Sequence, residues 1–166
     1  MFKTFLKLSL LSLLLISCSK KTEINTTPIA ADKGYETYNE AVKAMDSGDY
    51  FYAANKFKES ETIIPRVEDA AKALIMSSYC FYAINFYPDM RENLELFLSK
   101  YRANEYLVYA KYLLILANYE QINDEKKDIS PLLKTKADII SFLNEYPENE
   151  YSLDLKFKID LINNQL

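Results

Sequence analysis

The segments KYRANEY (residues 100–106) and EYPENEY (145–151) are two versions of one phrase, and TIIPRVEDA (62–70) fills the same role one unit earlier. A chain that repeats a unit of this length stacks copies of one supersecondary element and buries a continuous core between neighbours. Ile64, Tyr101 and Tyr146 are then equivalent positions, separated by 37 and 45 residues. Each is expected to end one helix ahead of a short polar turn into the next. Composition points the same way. Two glycines and five prolines in 166 residues leave few turns for an all-β chain, and the residues that dominate are largely helix formers. The expected fold is all-α, a solenoid of antiparallel helix pairs over residues 34–166.

The first unit fixes the register. Gly48-Asp49-Tyr50 is followed by Ala53, Phe57 and Pro65, which resembles the tetratricopeptide pattern. The glycine turns the chain between two antiparallel helices, and Ala53 lets them approach closely. Phe57 fills the core, and Pro65 stops the second helix. Ala41 falls at the small position of the first helix. In the second unit Asn85-Phe86-Tyr87 takes the turn, with Asn in place of Gly because Asn also reaches the left-handed region. Ser78 takes the small position, and Leu94 and Phe97 the core. Met90 stands where alanine is usual, a departure that loosens the contact, and Arg102 replaces the proline.

The third unit runs through EYLVYAKYLLILANYEQ, is interrupted by NDEKKDISP, and resumes at LLKTKADIISFLNEYP. The interruption reads as an insertion at the turn. Its acids Asp124, Glu125 and Asp128 lack the ligand alternation and glycine of a calcium loop, so a solvated loop is expected. A fourth unit, ENEYSLDLKFKIDLINNQL, supplies one helix and stops. That makes about three and a half repeats, and the last helix should fray unless a partner covers it.

The N-terminus carries a different message. Lys3 and Lys7 precede a short apolar run from Leu8 to Ile16, followed by Ser17 and Cys18. The run is too short to span a bilayer and has the layout of a secretory leader. Leu15-Ile16-Ser17-Cys18 looks like a bacterial lipobox. Residues 1–17 are thus expected to be a signal peptide, with diacylglycerol and an N-acyl chain on Cys18. Residues 18–33 are expected to form a flexible tether. Acyl chains would supply membrane attachment, two or more anchoring stably where one holds marginally.

The full chain has a net charge of −4, and loss of the leader would make it more acidic. Without basic clusters this excludes nucleic acid and anionic lipid as surface partners. There is no histidine, which removes the commonest general base and metal ligand. Cys80 sits in ALIMSSYCFYA and reads as a small buried hydrophobe, the alternative being a reactive thiol. No nucleophile–base pair, phosphate loop or metal cluster stands out, so neither enzyme activity nor a cofactor is expected.

In such a solenoid the first helix of each unit lines the concave face. The register places Tyr35, Tyr38, Val42, Met45 and Asp46 there from the first unit. The second supplies Lys72, Ile75, Tyr79, Tyr82 and Ala83, and the third Tyr109, Tyr112, Leu116, Tyr119 and Glu120. Seven of the fourteen tyrosines fall on this face. Two roles stay open for them. They can offer rigid amphipathic contact area to an extended peptide with aromatic side chains, or they can pack the helices.

The segments YNEAVKAMDSGDYFYAANKF, NEYLVYAKYLLILANYEQI and NEYPENEYSLDLKFKI, read together with the lipobox, resemble the outer-membrane assembly lipoprotein family BamD, also called ComL. The resemblance implies a non-catalytic subunit of the β-barrel assembly machinery. Its partners would be the barrel-inserting protein BamA, other assembly lipoproteins and unfolded outer-membrane proteins. The last of these would be received on the N-terminal repeats through an aromatic C-terminal signal. Family members carry more repeats than this chain, so the sequence is either truncated or a short variant, and the C-terminal repeats that make much of the contact with BamA in the family lie outside it. Ser19, where an Asp would retain the protein in the inner membrane, favours the outer membrane, facing the periplasm. The competing class is a general periplasmic tetratricopeptide lipoprotein that scaffolds cell-wall or division proteins.

Overall fold

The computed structural model describes residues 28–122 and 128–165. The signal peptide, Cys18, tether residues 18–27 and the loop acids Asp124 and Glu125 lie outside the described residues. Among the described residues there are seven helices and no strand: α1 (Pro28–Asp46), α2 (Tyr50–Ile63), α3 (Val67–Ala83), α4 (Tyr87–Lys100), α5 (Leu107–Glu120), α6 (Ser130–Glu145) and α7 (Ser152–Gln165). Consecutive helices pack against each other along the whole chain. That is three antiparallel pairs plus one further first helix, the all-α repeat solenoid expected from the sequence.

The turns follow from two residues. Gly48 adopts φ 84° and Asn85 φ 62°. After α1, the Gly48 amide donates to Met45 O (3.0 Å) and the Asp49 amide to Ala44 O (2.9 Å). After α3, Asn85 donates to Tyr82 O (3.0 Å) and Phe86 to Phe81 O (2.9 Å). Both are Schellman motifs, which satisfy the last carbonyls of a helix and require a left-handed residue just beyond it. In the second turn the apolar contact typical of the motif is the stacked pair Phe81–Phe86, 6.4 Å between centroids. Asp49 then caps α2 by accepting from the Tyr52 amide.

The opposite ends repeat as well. Ile64, Tyr101 and Tyr146 are the C-caps of α2, α4 and α6, each with its amide donating to the residue four back. The Asn-Glu-Tyr phrase has a local cause. Asn104 Oδ1 accepts from the Tyr106 amide and Asn149 Oδ1 from the Tyr151 amide, closing two equivalent side-chain turns.

One boundary differs from the sequence reading. α1 begins at Pro28, so residues 28–33 are helical rather than tether. Proline suits a first helical turn because its φ is preset and its missing amide would be unpaired there. Gly34 does not open the helix; it is a contact point inside it. A Cβ there would lie 3.1 Å from Ile64 N and 3.2 Å from Ile63 C, so glycine is what lets α1 close onto the end of α2.

The core forms two clusters. Ala41, Ala53, Phe57, Leu74, Met90, Leu94 and Phe97 belong to the first, spread over α1–α5. Ile115, Leu132, Ile139, Phe142, Leu155 and Ile162 form the second, over α5–α7. Met90 is fully buried, so its own flexible side chain fills the space it needs. Ser78 and Cys80 are buried too, and burial pushes the Cys80 thiol up to about 11, leaving it protonated and inert at neutral pH.

Two polar groups tie the units together. Glu61, buried at the end of α2, accepts from Tyr101 Oη and from Lys100 Nζ, each at 2.5 Å, at the end of α4. Asn93 Nδ2 donates to Ser77 Oγ (2.9 Å), which donates to Ala54 O (2.7 Å). Asn93 Oδ1 has no partner among the described residues, and such an orphan costs about 1–3 kcal/mol. Asn93→Leu is therefore expected to leave stability within about 1 kcal/mol of wild type or to raise it, read from urea midpoints. A larger loss would mean that the Ser77 bond outweighs the orphan.

Candidate functional site

The first helices α1, α3 and α5 carry the tyrosines selected by register, and the structure sorts them by what they touch. Tyr35 is 38% exposed and Tyr79 40%. Tyr35 Oη donates to Asp69 Oδ2 at 2.7 Å, and Arg66 Nη2 sits 2.7 Å from Asp69 Oδ1. The Tyr35 hydrogen bond, reinforced by Arg66, holds the Asp69 carboxyl below the usual carboxylate range. Tyr79 makes no hydrogen bond among the described residues. Tyr82 is partly buried and lies tilted against Tyr87, 6.4 Å between centroids.

The remaining four are built into the fold. Tyr38 packs edge-on against Phe57 at 5.1 Å, and burial raises its phenol pKa. Tyr112 stacks on Tyr151 at 4.4 Å with 13° between planes and donates to Asp154 Oδ2 at 3.1 Å. Burial, then Asp154, pushes its phenol well above the ordinary range. Tyr109 joins the same stack, 5.5 Å from Tyr151 and 6.4 Å from Tyr112. Tyr119 packs into the second cluster with Lys158 Nζ 5.0 Å from its ring centroid. The rings divide by burial: Tyr38, Tyr109, Tyr112 and Tyr119 pack helices, while Tyr35, Tyr79 and part of Tyr82 are exposed. Ile75 and Leu116, also placed on the concave face by register, are core residues, 4% and 5% exposed. They lie in the first cluster instead of facing solvent.

Register alone missed two aromatics. Tyr151 lies just before α7 and completes the stack on α5, and Tyr87 opens α4 beside Tyr82. The signal for Tyr151 was present in the repeated Asn-Glu-Tyr phrase, which sets a tyrosine at the mouth of α5 and of α7. The cleft of about 320 Å3 elsewhere lies between α4, α5 and α6, with Leu98, Leu114 and Phe142 in its lining and a half-buried Asp138 whose pKa burial raises. None of the seven tyrosines lines it.

Chemically, the tyrosine surface offers flat rings and hydroxyls. The shifted phenols Tyr35, Tyr38, Tyr109 and Tyr112 are all raised above 10.0, so none is a base or nucleophile near neutral pH. Such a surface suits side chains that stack and backbone groups that need hydrogen bonds.

Comparison with known proteins places this arrangement. Residues 30–166 match the family model YfiO, described as outer membrane lipoprotein. The outer membrane protein assembly factor BamD of Caulobacter vibrioides is 30% identical over 129 residues, covering 78% of this chain and 42% of that protein. The BamD of Rickettsia prowazekii is 29% identical over 161 residues, covering 96% of this chain and 62% of that protein. The chain thus spans less than two thirds of the length of either relative. Family model and relatives agree with the resemblance carried by the repeats, and the chain belongs to the YfiO family of outer membrane lipoproteins.

Proposed function

We propose that the protein is a non-catalytic component of the outer-membrane β-barrel assembly machinery, anchored by acyl chains on Cys18 and facing the periplasm. In this reading it binds unfolded outer-membrane proteins on the surface formed by Tyr35, Tyr79 and Tyr82. It also contacts other subunits of the assembly complex, the barrel insertase among them. The observation that carries the reading is the exposure of Tyr35 and Tyr79 together with the stacked Tyr109–Tyr112–Tyr151 rings, in a chain whose relatives bear the name of an assembly factor. Rigid rings on a preorganised wall bind with little entropy loss.

A photoreactive amino acid at Tyr82, in cells, tests this. Crosslinks to unfolded barrel proteins or to the insertase are the expected result. Crosslinks confined to cell-wall or division proteins would favour a scaffolding role on the same fold. With purified full chain, the double variant Tyr79→Ala/Tyr82→Ala is expected to weaken binding of a peptide ending in an aromatic residue by about tenfold or more. Helicity should not change, because Tyr79 is exposed and Tyr82 is only partly buried against the first cluster. Unchanged affinity would remove the surface from the proposal.

A further inference from the structure

The repeat allows one three-helix junction to be compared with the next. Where α2, α3 and α4 meet, the fully buried Asn93 donates to Ser77 Oγ (2.9 Å), and Ser77 donates to Ala54 O (2.7 Å). One unit on, the same positions of α4, α5 and α6 hold Arg91, Leu114 and Asp138. Leucine has no hydroxyl to offer, and a carboxylate stands where the amide was. The side-chain chain that ties the first junction is therefore lost at the second. Leu114 and Asp138 instead line the cleft of about 320 Å3 between these helices.

The cleft has two kinds of wall. Leu98, Leu114, Ile115 and Phe142 are apolar, and three carboxylates, Glu95, Asp138 and Glu145, join them. Glu145 is met by Lys111 at 2.7 Å, and Glu95 by Arg91 at 3.8 Å. Asp138 makes no ion pair or hydrogen bond among the described residues. Burial raises its pKa, and Lys134, one turn earlier, offsets this only in part. A carboxylate partly removed from water without a counter-ion is a cost that a bound cation relieves. The volume lies at the lower end of the range for small-molecule sites, which are mostly apolar with a few placed polar groups. We propose that the cleft binds a small organic cation, with its ammonium or guanidinium group against Asp138 and an apolar body along Leu98, Leu114 and Phe142. Such a ligand would bridge the second helices of two neighbouring units, and so stabilise the fold in proportion to its occupancy.

Purified full chain titrated with phenylbutylamine tests this by amide chemical shifts. Saturable shifts centred on Leu98, Leu114, Asp138 and Phe142 are expected. Phenylbutanol, the neutral counterpart, should bind about tenfold or more weakly, and phenylbutyrate should not bind. Asp138→Asn should weaken the amine by about tenfold or more. Its circular dichroism should match wild type, because Asn is what the preceding unit carries at this position. Tyr79→Ala/Tyr82→Ala should leave amine binding intact, since neither ring lines the cleft. Absence of saturable binding, equal binding of amine and alcohol, or indifference to Asp138→Asn overturns the proposal. So does an affinity that rises in Lys126→Ala/Lys127→Ala, because the chain's own insertion would then be the occupant. A lysine peptide that binds where the free amine does not would make the cleft a polypeptide contact, and overturns it as well.

Discussion

Phe57→Ala is expected to cost about 3–5 kcal/mol, the usual range for truncating a fully buried aromatic. Phe57 has no exposed surface and sits edge-on to Tyr38 of α1, among residues of the first cluster. A loss of this size is a large share of the roughly 5–15 kcal/mol that holds a domain together. Its distribution is the more informative result. In a solenoid each unit is stabilised mainly by its neighbours, and the core here divides into two clusters, with Tyr112 packed against both. Hydrogen exchange of Phe57→Ala should therefore show the amides of α1 and α2 losing protection first, while α6 and the buried side of α7 hold. Phe142→Ala, in the second cluster, should reverse that order. Uniform loss of protection in both variants would show that the two clusters unfold as one.

Much of this architecture was legible because the repeat writes the same physical demand at the same place. Gly48 and Asn85 were readable as turns, since a Schellman motif needs a residue that tolerates positive φ. Ile64, Tyr101 and Tyr146 were readable as helix ends because the same phrase recurs around them. The start of α1 was not. SKKTEINTTPIAADK has no apolar period, and Gly34 looks like a breaker until the backbone of Ile63 and Ile64 is seen against it. Glu61 was hidden for another reason: the groups that satisfy it, Lys100 and Tyr101, come from 39 and 40 residues away. The tyrosine surface was half legible. Register selects a face of a helix, but it does not say which ring meets another helix. Tyr79 and Tyr112 fall on the same selected face, yet one ring is 40% exposed and the other is stacked under Tyr151.

Stability is expected to be flat from about pH 6 to 8 and to collapse between about pH 10 and 12. The flat region follows from the absence of histidine, the one side chain that ordinarily titrates there. The collapse follows from the phenols. Burial, and then the Glu61 hydrogen bond, pushes Tyr101 from 10.0 up to about 12. Burial, and then Glu150, pushes Tyr151 to about 12 as well. Burial also raises Cys80 to about 11. In each case the folded state holds the proton more tightly than the unfolded chain. The resulting stability is complete below the unfolded pKa and is lost as pH climbs through the folded one. For Tyr101, which is 4% exposed, a two-unit rise corresponds to roughly 3 kcal/mol. Tyr151 is more open to solvent and contributes less. Tyr101→Phe separates this from general alkaline damage. At pH 7 the variant should be less stable by about 1–3 kcal/mol, because Glu61 keeps only Lys100 as a partner. Its stability should then fall less steeply above pH 10, so that the gap to wild type narrows toward pH 12. Urea midpoints measured every half unit would show it. Parallel curves for the two proteins would mean that the Tyr101 proton is not what the folded state loses, and that the alkaline limit is set by the tyrosines stacked on α5.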